Sequence, residues 1–385
     1  MARIIISNLR FQYILIFILT LFFTANRCCN SFAQYNPSDH HATNETQNLY
    51  SNLGKIAKQG VMFGHQDDLA SGVFWKELDG RSDIKDVVGE YPAVFGWDLG
   101  LYEMDKSRNF DHISISKIKD YIIQVHRRGG INTISWHSNN PVNREESVRD
   151  TSNSFQTISK LFADNLNLNI YKTWLDKVAS FMLSLKDSNG TLIPVIFRPF
   201  HENTGNWFWW GKSHSTPEEY VNIWRFTVNY LRQEKKVHNI LYAYSTGQFT
   251  TKDQYIERYP GDSYVDILGF DAYDRAEENQ KSKFSTNVSF MIQTIKQLGI
   301  EKRKVTAFTE TGLKLTPDPK WWTNTLLPLI RDSGLSYVLL WRNGGINSYW
   351  STYPDQISAE NFQRFHKDKK ILFGNYIENK KIFIK

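Results

Sequence analysis

The stretch from residue 195 to residue 211 combines residue types that could carry out chemistry. It begins as an apolar run, breaks at a proline, and continues directly with His201 and Glu202. A Gly-Asn turn and three tryptophans then follow. In enzymes built on parallel strands, reactive groups lie at the carboxyl ends of the strands, which is where this carboxylate would stand. The tryptophans add flat apolar surface beside it, as a sugar ring would require.

A second glutamate, Glu310, ends another apolar run, which starts at Val305. Glycoside hydrolysis needs two carboxylates, because one protonates the leaving oxygen and the other supports or attacks the anomeric carbon. A separation of about 5 to 5.5 Å predicts retention of configuration, and one of about 6.5 to 9.5 Å predicts inversion. The structural alternative is that either glutamate caps the following helix or pairs with an arginine.

Eight apolar runs alternate with stretches of helical periodicity. The apolar runs span residues 60–65, 93–98, 131–137, 193–200, 239–244, 265–271, 305–310 and 337–342. The clearest helical stretches between them are 113–128, 171–185, 217–231 and 284–298. This alternation predicts parallel βαβ units. Since no GxGxxG motif follows the first strand, eight such units predict a single (β/α)8 TIM barrel rather than a dinucleotide-binding fold.

Nearly every apolar run ends in a polar or aromatic residue, and in a closed barrel these ends should converge on one face. The residues are His65, Asp98, His137, Glu202, Tyr244, Asp271, Glu310 and Arg342. Glu202 and Glu310 follow the fourth and seventh strands, so we expect them to face each other across the barrel mouth. No linker or longer repeat interrupts the pattern, which predicts one catalytic domain from residue 48 to 385.

Two short motifs carry a resemblance to a known family. They are Arg198-Pro199-Phe200-His201-Glu202, which is followed by Gly205 to Gly211, and Phe308-Thr309-Glu310-Thr311-Gly312. They resemble the acid/base and nucleophile motifs of glycoside hydrolase family 26, the β-mannanases of a large retaining (β/α)8 clan. Further matching landmarks are Phe63 to Gln66, Gly96 to Asp98, Ser135 to His137, Gly269 to Tyr273 and Leu340 to Arg342.

The resemblance implies that Glu202 is the general acid/base and Glu310 the nucleophile. The tryptophans after Glu202 agree with this order, because an apolar environment raises a carboxyl pKa and lets the group hold a proton near neutral pH. Arg198 and Tyr273 are candidates to donate hydrogen bonds that keep Glu310 ionised. The alternative for Arg198 is a purely structural role inside the barrel.

Other residues are predicted to bind the sugar chain. His137 and His201 are expected to contact hydroxyls beside the scissile bond, although a histidine at a strand end is also a common core group. Trp207 and Trp341 are the expected stacking platforms. The other tryptophans considered, Trp209, Trp210, Trp321 and Trp322, are expected in the core or at the rim.

More distant subsites are assigned to residues on other strands. Trp97, Asp98 and Asp266 are expected to shape them, with helix capping as the alternative for Asp98. Arg342 is expected to contact a mannose unit on the far side of the nucleophile. The loop from Gly344 to Trp350 is expected to narrow the cleft.

The first 33 residues have the pattern of a secretory signal peptide. Arg3 and Arg10 supply positive charge before an apolar run, Ile14 to Phe23, that is short for a permanent membrane span. Small residues in Ser31-Phe32-Ala33 suit signal peptidase. The pattern predicts export to the periplasm or the outside.

Cleavage would leave a chain that starts at Gln34 with a polar leader to residue 47. Both cysteines, Cys28 and Cys29, would be lost, which fits an exported enzyme without disulfides or thiol chemistry. The alternatives are an uncleaved membrane anchor and a lipid anchor on one of these cysteines.

Composition and charge narrow the class of partner. Aromatic residues make up 15% of the chain, which favours a carbohydrate cleft over a nucleotide site. Without the three arginines of the signal, 43 basic residues of the original 46 face 40 acidic ones, so the charge is nearly balanced and gives nucleic-acid binding no support. We expect a monomer with a polysaccharide or oligosaccharide substrate and no permanent membrane span after signal cleavage.

We expect no metal, because His201 and Glu202 lack the second histidine of an HExxH helix. Catalysis by two carboxylates also needs no cofactor. The expected function is a retaining endo-β-1,4-mannanase acting on mannan or galactomannan, with release of mannobiose from chain ends left open. Alternatives are the same chemistry on β-1,3-xylan or mixed-linkage β-glucan, a non-catalytic glycan-binding protein, and a metal-dependent deacetylase or amidohydrolase.

Overall fold

Eight parallel strands form where the sequence has its apolar runs. They are β1 (Val61–Gln66), β2 (Val94–Asp98), β3 (Ile131–Trp136), β4 (Val195–Pro199), β5 (Ile240–Thr246), β6 (Ile267–Asp271), β7 (Val305–Thr311) and β8 (Tyr337–Leu340). Each strand pairs with the next, and β8 pairs with β1 to close the barrel. A short strand, β9 (Ile371–Leu372), adds to β1. The predicted (β/α)8 barrel is confirmed.

The computed structural model describes residues 35–144, 156–275 and 278–384. The predicted signal peptide, residues 1–33, lies outside the described residues. In the part of the chain that is described, no helix is long and apolar enough to cross a membrane. One compact unit begins at Asn36, so most of the predicted leader belongs to the same unit as the barrel.

Helices cover the outside of the barrel. They are α1 (Asn44–Ile56), α2 (Asp83–Val88), α3 (Ile115–Arg127), α4 (Thr157–Ala163), α5 (Asn165–Ser184), α6 (Pro217–Asn229), α7 (Lys252–Ile256), α8 (Glu278–Lys302), α9 (Leu327–Ile330), α10 (Ala359–His366) and α11 (Gly374–Glu378). All four predicted helices are present. Helix α6 starts where the sequence directs it, because Thr216 and Glu219 form a capping box around Pro217.

Successive side chains of each strand point alternately into the barrel and towards the helices. On β5, the ring of Tyr244 packs against Trp224 of α6 and Tyr255 of α7. The prediction that Tyr244 lies with the other strand ends at the barrel mouth is therefore wrong, because its side chain points towards the helices. The next residue, Ser245, lies inside the barrel and accepts a hydrogen bond from Arg198 at 3.1 Å.

Asp266 lies at the amino-terminal end of β6, opposite the strand ends that carry the reactive groups. Its carboxylate accepts hydrogen bonds from the backbone N–H groups of Ser38, at 2.5 Å, and Tyr242, at 2.7 Å. Tyr50 of α1 donates to its backbone carbonyl at 2.7 Å. The prediction that Asp266 shapes a substrate subsite is wrong, because this buried side chain binds the backbone of Ser38 and Tyr242 at the opposite end of the barrel.

Between β1 and the outer helices, aromatic rings form a dense part of the core. Phe63 is fully buried and stacks on Phe373, with ring centroids 4.8 Å apart. Trp322 and Phe362 pack against the same ring. Because the surrounding strands and helices are fixed, a truncated side chain here would leave a cavity.

We predict that Phe63→Ala lowers the free energy of unfolding by about 3 to 5 kcal/mol, measured by urea denaturation. Phe74→Ala is the matched control, because Phe74 is 73% exposed and its loss should change stability by less than about 0.5 kcal/mol. Equal effects of the two substitutions would contradict the packing described for Phe63.

Candidate active site

Glu202 and Glu310 face each other at the mouth of the barrel. Glu202 follows β4 and Glu310 lies on β7, as the strand count predicts. One carboxylate oxygen from each of these residues and one from Asp271 lie within 4.8 Å of one another. Glu310 is buried, whereas Glu202 is partly exposed to the cleft. This separation suits a retaining arrangement, because inversion needs about 6.5 to 9.5 Å to admit a water molecule.

Two hydrogen-bond donors act on Glu310. Tyr273 donates its hydroxyl proton to Oε2 at 2.5 Å, and Arg198 donates from Nη2 to Oε1. Burial alone would lower the pKa of Arg198, but the charges of Asp271 and Glu310 raise it, so the guanidinium stays positive. Both oxygens of the buried Glu310 carboxylate therefore have a hydrogen-bond donor. Arg198 is 1% exposed, so it reaches the substrate only through Glu310.

Asp271 holds the other side of the same guanidinium. It accepts a hydrogen bond from Arg198 Nη1 at 2.8 Å and one from the hydroxyl of Thr309 at 2.6 Å. The three carboxylates of this cluster are close enough to share a metal ion. The guanidinium of Arg198 already supplies the positive charge between Asp271 and Glu310, which are thereby paired as buried charges must be.

Glu202 lies in a different environment. Burial and the nearby charge of Glu310 raise its pKa to about 7, although a hydrogen bond from Trp207 lowers it. Trp207 donates from its indole nitrogen to Oε2 at 2.7 Å. Gly205 permits this approach, since a Cβ atom there would lie 2.4 Å from the indole of Trp207. The carboxyl can therefore hold a proton near neutral pH.

His137 and His201 form a pair beside Glu202. Their Nε2 atoms are 3.1 Å apart, so one nitrogen donates and the other accepts. Burial alone would lower the pKa of His137, but its ion pair with Asp98 raises it to about 9. Burial and the charges of Arg198 and His137 keep the pKa of His201 well below its usual value. The pair therefore combines a charged donor, His137, with a neutral His201.

A cavity of about 960 Å³ contains the two glutamates. Five residues predicted to bind sugar line it, namely His137, His201, Trp207, Tyr273 and Trp341. Trp350 also lines the cavity, as expected for the loop that was predicted to narrow the cleft. Trp207 is 41% exposed, so its ring is available to a ligand. The four tryptophans expected in the core or rim, Trp209, Trp210, Trp321 and Trp322, are fully buried.

Two residues that were assigned to distant subsites have other partners. Trp97 is buried between β2 and α3, where it stacks on Tyr121 and donates to Asn132 at 2.8 Å. Its prediction as a substrate contact is wrong, because its side chain points towards the helices. Asp98 is 1% exposed and accepts from His137 Nδ1 at 2.7 Å and Ser135 Oγ at 2.7 Å. Asp98 therefore orients His137, which lines the cavity, and its role in a more distant subsite stays a prediction.

Arg342 lies beyond the residues that line the cavity around the glutamates. Its guanidinium forms an ion pair with Asp111 at 2.7 Å and is about one-fifth exposed. Asp67 lies in the same charged neighbourhood, where burial and the charge of Asp111 raise its pKa. Sequence reasoning missed Asp67 and Asp111, because neither lies in a strand and their proximity to Arg342 depends on loop geometry. Asp271 was noted as a strand end, but its bond to Arg198 was not predicted.

The closed (β/α)8 barrel and the paired carboxylates after β4 and on β7 are those of a glycoside hydrolase. The model of glycosyl hydrolase family 26 matches residues 38–307, and the chain belongs to this family.

Known proteins with related sequences and structures agree with this assignment. A mannan endo-1,4-β-mannosidase from Bifidobacterium adolescentis is 35% identical over 72% of this chain, and one from Bacillus subtilis is 28% identical over 62%. The chain spans 28% and 66% of the lengths of these two relatives. A family 26 β-mannanase from Bacteroides ovatus has a solved structure that is 42% identical to this chain, with a TM-score of 0.83. The alignment covers 86% of this chain and 96% of that one.

We predict that Trp207→Phe raises the pKa of Glu202 above about 7, because the substitution removes the indole donor that favours the ionised carboxylate. A rise of about 1 in the pKa is expected for a partly exposed hydrogen bond to a charged group. The measurement is a ¹³C NMR titration of labelled glutamate side chains, with Glu202→Gln to assign the resonance.

Trp341→Phe is the matched control for this titration. Trp341 lines the same cavity, but its ring lies beside that of His137, with centroids 6.2 Å apart. A Glu202 pKa that stayed constant in Trp207→Phe, or that moved equally in both variants, would contradict the role described for the indole nitrogen.

Proposed function

We propose that this protein is an exported endo-β-1,4-mannanase that cleaves mannan or galactomannan with retention of anomeric configuration. The observation that carries the proposal is the pair of carboxylates in one cleft. Glu202 and Glu310 have oxygens within 4.8 Å of each other, yet one is beside an apolar ring and the other is held by a guanidinium. Retaining glycosidases need this closeness and this difference in environment.

In the first step, Glu310 attacks the anomeric carbon while Glu202 gives its proton to the oxygen of the departing sugar. The bond to the leaving oxygen breaks as the bond to Glu310 forms, and the product is a mannosyl ester of Glu310. Arg198 and Tyr273 orient the attacking carboxylate, since both donate to it from fixed positions.

In the second step, Glu202 acts as a base. It takes a proton from water, the hydroxide oxygen attacks the anomeric carbon, and Glu310 leaves as a carboxylate. Two inversions restore the original β configuration, and Glu202 regains the proton that it gave away. His137 and His201 line the cavity beside these groups and are positioned to bind sugar hydroxyls. No external cofactor is required by this chemistry.

The substrate is proposed from the family and from the shape of the cleft. The related proteins from Bifidobacterium adolescentis and Bacillus subtilis are named mannan endo-1,4-β-mannosidases. The cavity opens beside the partly exposed ring of Trp207, which offers a flat face to the C–H side of a sugar. The amino-terminal signal pattern supports export, and action as a monomer stays a prediction.

Product analysis tests the reaction. The protein should release oligosaccharides from mannan or galactomannan, but little or none from β-1,3-xylan and lichenan. ¹H NMR during the first minutes should show the β anomer of the new reducing end, followed by slow mutarotation. An initial α anomer would contradict retention. Binding of mannan without any product would favour the alternative of a non-catalytic glycan-binding protein.

Substitution of each glutamate separates the two roles. Glu202→Ala should lower kcat/KM on mannan by about 10² to 10⁴-fold, because general acid catalysis contributes that much. It should retain most of its kcat/KM on a dinitrophenyl β-mannobioside, whose leaving group needs no proton. Glu310→Ala should lose activity on both substrates. Glu360→Ala is the control, since this glutamate is exposed on α10.

Loss of activity by Glu202→Ala to the same degree on both substrates would contradict its assignment as the acid. Retained hydrolysis of the dinitrophenyl substrate by Glu310→Ala would contradict its assignment as the nucleophile. In either case the matched surface variant should keep full activity on both substrates.

A further inference from the structure

The turn that carries Glu202 has an unusual backbone. Phe200 and Glu202 both adopt left-handed conformations, with φ angles of +50° and +54°, on either side of His201. Non-glycine residues seldom take this conformation, and a bulky aromatic residue does so least of all. Such backbone persists only where its surroundings enforce it, and it concentrates at functional sites.

One side chain bridges this turn from outside the barrel. Tyr220 of α6 donates its hydroxyl proton to the carbonyl oxygen of Phe200 at 2.8 Å. The same hydroxyl accepts a hydrogen bond from Asn203 Nδ2 at 3.0 Å. Phe200 and Asn203 precede and follow the pair His201 and Glu202, so a single oxygen joins the two ends of the turn. Both hydrogen bonds are buried.

Other contacts fix the remaining groups of the turn. The indole nitrogen of Trp210 donates to the carbonyl oxygen of His201 at 2.8 Å, and the N–H of Glu202 donates to the carbonyl oxygen of Ser245 on β5 at 3.0 Å. The ring of Phe200 is enclosed by Trp209 and Trp210. Tyr220 differs from Trp210 and Ser245 because its hydroxyl bonds to residues at both ends of the turn, Phe200 and Asn203.

Tyr220 is also remote from the chemistry itself. It is fully buried and is absent from the residues that line the cavity. Its ring packs against Phe200 and Trp224, on the helix side of the barrel. A change at its hydroxyl would therefore alter the turn without removing any group that could touch a sugar.

We propose that Tyr220 is a positioning residue for Glu202, with its hydroxyl holding the strained turn in the conformation that aims the carboxyl at the glycosidic oxygen. The inference rests on the proposed role of Glu202 as the general acid/base. Without the hydroxyl, the turn can relax, and a carboxyl that moves by about 1 Å can lose as much as 10²-fold in rate.

The dependence on leaving group distinguishes this role from general stabilisation. A departing sugar needs a proton from a well-placed acid, whereas dinitrophenolate leaves without one. The ratio kcat/KM isolates the first chemical step, in which Glu202 acts as the acid. Misplacement of Glu202 should thus lower kcat/KM for the natural substrate and spare it for the dinitrophenyl substrate, whereas a damaged cleft should lower both.

The test compares Tyr220→Phe with Tyr121→Phe on a mannooligosaccharide and on dinitrophenyl β-mannobioside. Tyr121 is the matched control, because it is a buried tyrosine on α3 whose hydroxyl has no hydrogen-bond partner among the described residues. Tyr220→Phe should lower kcat/KM on the oligosaccharide by about 10- to 100-fold and on the dinitrophenyl substrate by less than about threefold. Tyr121→Phe should leave both values unchanged.

Equal losses on both substrates, or no loss on the oligosaccharide, would overturn the proposal. Asn203→Ala removes the other arm of the bridge and should show the same pattern with a smaller loss, so it carries the test if Tyr220→Phe fails to fold. Glu202→Ala measured in parallel separates the two proposals. If it shows the leaving-group pattern and Tyr220→Phe does not, only the role of Tyr220 fails.

Discussion

The architecture of the site depends on one buried cation. Arg198 rises from the interior of β4 and binds Asp271 of β6 and Glu310 of β7, so one guanidinium joins three strands of the barrel. Burial of any one of these charges alone would be costly, and removal of one partner would leave the others unpaired. The position of Glu310 therefore depends on the packing of β4, β6 and β7 around this guanidinium.

This arrangement makes two similar carboxyls behave differently. Glu310 has the guanidinium and the hydroxyl of Tyr273 as donors, whereas Glu202 has the indole of Trp207 and lies near the negative charge of Glu310. Burial and that charge raise the pKa of Glu202 to about 7. The carboxyl of Glu202 can therefore hold a proton near neutral pH. The strained turn around Glu202 then decides where that proton points.

Sequence patterns predicted the eight strands and the pairing of the two glutamates, because apolar runs and polar strand ends are local signals. They failed where the answer depends on which face or end of a strand a residue occupies. Tyr244 and Trp97 point towards the helices, and Asp266 lies at the amino-terminal end of β6, away from the active site. The hydrogen bonds of Tyr220 to the turn around Glu202 could not be predicted either. They join α6 to a turn whose left-handed backbone leaves no pattern in the sequence.

The most direct test of the central claim is to trap the covalent intermediate. A 2-deoxy-2-fluoro-mannosyl substrate with a dinitrophenolate leaving group should accumulate as an ester. The fluorine slows both formation and hydrolysis of the ester, whereas the good leaving group speeds only its formation. Proteolysis and mass spectrometry should find the added sugar on Glu310, the carboxylate that Arg198 holds. A label on Glu202 or Asp271, or turnover with no labelled peptide, would contradict the account.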